Sequence, residues 1–74
     1  MTLNGLITVL EEMGYKVLIP VDKPYSHLET FLVFNTHQFV RWSFSSNLLK
    51  EEPKTITEQI FAMLLRFDAI GEIQ

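Results

Sequence analysis

His27 and His37 are the only histidines in this 74-residue chain, and both stand in stretches that read as turns. A metal site or an acid–base pair would need partners at fixed spacing, such as two histidines one helical turn apart with a glutamate between. Nothing of that kind accompanies either residue. Asp22, Ser26 and His27 lie close together in sequence, but a nucleophilic triad depends on alignment by the fold, which adjacency along a loop does not supply. The paired carboxylates are Glu11-Glu12 and Glu51-Glu52. Neighbours on a helix point about 100° apart, so Glu11 and Glu12 diverge. Glu51 and Glu52 precede Pro53 in a predicted loop. Gly5, Gly14 and Gly71 are isolated, and no glycine-rich phosphate loop exists. The residues that could do chemistry therefore form no catalytic constellation. The expectation is a non-enzyme without a metal or a cofactor.

Composition narrows the class further. Nine acidic residues against six basic ones leave a net charge of −3. The cations Lys16, Lys23, Arg41, Lys50, Lys54 and Arg66 are scattered, with none adjacent to another. Binding to phosphate backbones relies on clustered cations that release counterions, so a nucleic-acid partner is disfavoured. There is no cysteine, hence no disulfide framework or thiolate metal site. The N-terminal stretch lacks a basic leader followed by an apolar core, and no apolar run approaches a membrane span of about 18 residues. These features predict one soluble, cytoplasmic domain over 1–74, with no membrane partner.

The elements that would position functional residues follow from periodicity. Leu3, Leu6, Ile7, Leu10 and Met13 recur at helical spacing, and Gly14 supplies a left-handed stop. "YKVLIPV" reads as a strand that Pro20 ends or confines to an edge, with Val17, Ile19 and Val21 on one face and Lys16 and Leu18 on the other. "DKPYSH" is a polar turn. "ETFLVFN" and "QFVRWSF" make a hairpin around Thr36 and His37. A two-residue loop there pairs Phe34 with Phe39, Val33 with Val40, Leu32 with Arg41 and Phe31 with Trp42, and directly opposed side chains share a face. "SSNLLKEEPK" reads as a loop broken by Pro53, and "TITE" at 55–58 as a capping box starting a second helix that runs to about Ile70 and stops at Gly71. Ile56, Ile60, Met63, Leu64, Phe67 and Ile70 share its apolar face, with Phe61 and Leu65 off centre.

The predicted fold is α+β, in the order α-β-β-β-α. A three-stranded antiparallel sheet carries two helices packed on one face. The face with Phe31, Val33, Val40, Trp42 and Phe44 is the natural core side, being large, apolar and uncharged. Leu18, Leu32, Phe34, Phe39 and Arg41, with Lys16 beside them, then fall on the outer face. A contiguous apolar patch marks an interaction site, and aromatics flanked by arginine are the composition of binding hot spots. Three occupants suit it: a second copy or the loop with Leu48 and Leu49, a different protein, or stacked nucleic-acid bases.

The element order, with a short helix "LNGLITVLEEMGYKV" leading straight into the first strand, resembles small phage-encoded anti-CRISPR proteins that inhibit type II effectors. The resemblance implies a stoichiometric inhibitor or adaptor from a phage or mobile element. The same order is similar to double-stranded-RNA-binding domains and HicA-type mRNA-interferase toxins, where a segment like "YSH" carries a catalytic histidine. That second resemblance implies an RNA-binding or RNA-cleaving module using His27. The expected function is the first, a protein-interaction module acting through the outer sheet face, with the RNA module as the alternative.

Overall fold

A computed structural model describes residues 1–21 and 28–69, with the side chains of 68 and 69 left aside. The predicted turn at 22–27, including His27, and the predicted helix end at Ile70 and Gly71 lie outside the described residues.

Helix α1 spans Leu3–Glu12. Thr2 caps it, its Oγ1 accepting from the Gly5 amide at 2.9 Å, which satisfies one amide left without a helical partner. At the other end Gly14 takes φ 97°, a conformation that side chains with a Cβ resist. The Gly14 amide donates to the Glu11 carbonyl and the Tyr15 amide to the Leu10 carbonyl, the paired bonds of a Schellman stop. Strand β1, Lys16–Leu18, follows directly. The chain thus turns from helix to sheet over three residues, as the glycine predicts.

Strands β2 (Leu28–Phe34) and β3 (Gln38–Ser45) form the central hairpin. Their register is the one expected from a two-residue loop: Phe34 faces Phe39, Val33 faces Val40, Leu32 faces Arg41 and Phe31 faces Trp42. Among the described residues only glycine has a positive φ, so the turn is not built from left-handed residues. The Asn35 amide donates to the Gln38 carbonyl, while Asn35 Oδ1 accepts from the amides of His37 and Gln38 at 2.8 and 2.9 Å. The asparagine side chain replaces its own carbonyl in closing the loop.

Strand β1 pairs antiparallel with β2, placing Lys16 opposite Phe34, Val17 opposite Val33 and Leu18 opposite Leu32. It is an edge strand and stops before Ile19 and Pro20. Val17 packs towards the core, whereas Ile19 and Val21, expected beside it, are exposed. The strand's alternation ends when the strand does.

A 3₁₀ turn at Ser46–Lys50 leads to α2, Pro53–Leu64. Here two expectations are corrected. Pro53 opens the helix instead of breaking a loop: Glu52 is the N-cap, without a side-chain cap bond, and Thr55 lies inside the first turn. Proline suits that position because its missing N–H would have no helical acceptor there. The helix also ends at Leu64, not near Ile70, and Asp68–Ala69 forms β4, a two-residue strand alongside Gln38 and Phe39. The sheet order is β1-β2-β3-β4. The α-β-β-β-α plan stands, with this short strand added at the β3 edge.

Both helices cover one sheet face. Leu6 and Leu10 from α1 and Ile56, Ile60 and Met63 from α2 are buried with Phe31, Val33, Val40, Trp42 and Phe44. Three aromatic rings knit the sheet side: Phe31 meets Trp42 at 6.3 Å and Phe44 at 5.2 Å edge to face, and Trp42 meets Phe44 at 4.5 Å. Each such pair adds about 0.5–1.5 kcal/mol beyond area burial. Phe67, past the helix end, still packs on the core and meets the tilted Tyr15 ring at 5.2 Å. Glu29 sits opposite Phe44, so the rim of the core face carries one half-buried carboxylate where no charge was expected.

Candidate docking face

The outer face is built by alternation. Every second residue of β1, β2 and β3 points away from the helices, and the register sets those residues in rungs. Lys16, Phe34 and Phe39 form one rung across the three strands, and Leu18, Leu32 and Arg41 form the next. Thr30 and Ser43 make a polar rung beyond them, their hydroxyl oxygens 3.2 Å apart. Thr30 is only 4% exposed, so the outer face is covered at this rung and the patch is that of the first two rungs.

All five residues singled out from the sequence, Leu18, Leu32, Phe34, Phe39 and Arg41, are brought together here. None belongs to the core cluster or packs against it. Leu18 is 56% exposed, Arg41 is exposed, and Leu32, Phe34 and Phe39 are half-buried among their neighbours. Leu48 and Leu49, one of the covers expected for this face, pack instead against the core cluster. They lie in the 3₁₀ turn between β3 and α2.

Lys16 is more central than its sequence position indicates, because its rung neighbour is Phe34. A depression of about 320 Å³ opens at this corner, lined by Gly14, Lys16, Phe34, Asn35 and Thr36. Sequence reasoning missed it. It depends on the β1–β2 register, which the intervening residues do not allow to be counted as the two-residue hairpin does. Among the described residues neither Lys16 nor Arg41 forms an ion pair.

Phe61, 56% exposed, and Leu65, 88% exposed, lie away from this face on and just past α2, a smaller apolar spot. His37 is exposed in the hairpin turn, where its amide rather than its ring is used. Among the described residues no three histidine, cysteine or acidic side chains gather as a metal-holding group. No helix among them is long and apolar enough to cross a membrane. Comparison with known proteins finds no matching family model, no matching curated protein and no matching solved structure.

Proposed function

We propose that this chain is a non-enzymatic protein-interaction module that binds a partner stoichiometrically through the outer face of β1, β2 and β3. One observation carries the reading. Four apolar side chains and an arginine occupy an open sheet face outside the core, in a domain that already has a complete core on the other face. Exposing such a cluster lowers solubility without adding to folding, and a binding role accounts for it. The mode of action is occlusion, as a small inhibitor or adaptor of the kind mobile elements encode. Half-buried aromatics at the centre and an arginine at the margin suit that role, since such residues carry most of the binding energy at interfaces.

The test is capture from source cells by the wild-type chain and by the Phe39→Glu/Arg41→Glu double variant. The reading predicts partners retained by the wild type and lost by the variant, with circular dichroism and unfolding midpoint little changed. Equal capture and equal self-association by both proteins would contradict it.

A further inference from the structure

The corner depression of about 320 Å³ is lined by Gly14, Lys16, Phe34, Asn35 and Thr36, and its polar groups share one hydrogen-bonding sense. Lys16 is exposed and has no ion pair among the described residues. Asn35 is fixed by the hairpin turn. Its Oδ1 accepts from the amides of His37 and Gln38, which can only donate, so the carboxamide cannot be reversed. Asn35 Nδ2 is then left with no acceptor among the described residues, and the Thr36 hydroxyl has no partner there either. The half-buried Phe34 ring supplies apolar surface, and Gly14 adds no side chain. A Cβ on Gly14 would meet no heavy atom within 4 Å, so the space over it is open.

The lining thus combines an ammonium group, a carboxamide NH₂, a hydroxyl and one aromatic ring, with no carboxylate among them. Negative groups nearby do little to cancel this. Glu11 and Glu12 stand on α1 and do not line the depression. At the α1 terminus the Leu10 and Glu11 carbonyls already accept from the Tyr15 and Gly14 amides, which satisfies much of the helix's negative end. Asp68 shares the rung of Lys16, Phe34 and Phe39 by register, but it stands three strands from Lys16. At about 4.8 Å per strand that is about 14 Å, beyond the screening length of about 8 Å in physiological salt.

We infer that this depression is a binding site for a carboxylate borne on a compact aromatic or branched apolar body. The carboxylate takes charge-assisted and amide hydrogen bonds from Lys16 Nζ and Asn35 Nδ2, and the apolar body lies against Phe34 in the space over Gly14. The volume is at the small end of the roughly 300–1,000 Å³ of ligand sites, which suits an occupant about the size of one amino acid. A bare anion gains from the cation but leaves Phe34 uncovered. The C-terminal residue of a peptide chain and a free arylalkanoic acid share the required chemistry. The site goes beyond the docking role and holds whether or not the outer rungs bind a partner.

The test titrates the isotope-labelled full chain with N-acetylphenylalanine, its C-terminal amide, acetate and a short peptide ending in phenylalanine, followed by NMR. N-acetylphenylalanine should shift the Gly14, Lys16, Asn35 and Thr36 amides with a Kd of about 1 mM. Its amide and acetate should each bind about tenfold or more weakly. Lys16→Met should weaken the acid by about tenfold as well. So should Asn35→Asp, which keeps an oxygen to close the turn but replaces the Nδ2 donors with an anionic acceptor. Unchanged unfolding midpoints separate lost contacts from lost fold, and the ligand comparison needs only the wild type. Tighter binding of the peptide makes a chain terminus the source, and equal binding makes it a free acid; either outcome upholds the site. The amide or acetate binding as tightly as the acid overturns it. So does full affinity in both variants, or no shift of those four amides at about 10 mM acid.

Discussion

Thr2 and Thr55 carry the same side chain near the start of a helix, yet only Thr2 caps one. Thr2 Oγ1 accepts from the Gly5 amide, whereas Thr55 sits in the first turn of a helix that starts at Pro53. Thr2→Ala should lower the unfolding free energy by about 1 kcal/mol. Thr55→Ala should change it by less than about 0.5 kcal/mol, the range for surface positions without a special role. Urea denaturation of both variants checks the pair, and a larger loss at Thr55 would restore the capping box. Gly14 makes a third case. A Cβ there would meet no heavy atom within 4 Å, so any cost of Gly14→Ala is conformational. At φ 97° that cost should be about 1–2 kcal/mol. A neutral substitution would show that the Schellman stop tolerates another backbone geometry.

Alternation in the hairpin separates residues that hold the fold from those that do not. Trp42 and Phe39 lie three positions apart on β3 and on opposite faces, one in the core cluster and one outside it. Trp42→Ala should cost about 3–5 kcal/mol. Phe39→Ala should cost about 1 kcal/mol, mostly its cross-strand contact with Phe34. Equal losses in denaturant titrations would mean that something packs over the outer face. This hairpin was legible because a two-residue loop fixes parity, and the aromatic pairs follow by counting. Elsewhere legibility failed for identifiable reasons. Phe67 continues the helical spacing of Ile60, Met63 and Leu64, so periodicity alone could not show that the chain leaves the helix after Leu64 and that Phe67 reaches the core from the turn beyond it. Pro53 serves equally as a loop breaker or a first helical residue, and the distinction lies in the backbone before it.

A chain of 74 residues has little stability to spare, about 4–11 kcal/mol at ordinary values per residue. Its core closes using one sheet face, and the other face carries the patch proposed as the docking site. The five-residue patch was legible in the sequence because strand alternation assigns faces directly. The corner depression beside Lys16 was not, because it arises only when β1 finds its register on β2. The docking role requires the outer rungs to be open in the isolated protein. Solvent paramagnetic relaxation with a soluble gadolinium chelate measures this directly on the leucine methyl groups of dilute protein. Leu18 and Leu32 should relax strongly, while Leu6 and Leu10, fully buried on the core side of α1, should not. If Leu18 and Leu32 prove as protected as Leu6 and Leu10 in the monomer, the face is already covered and the docking role is wrong.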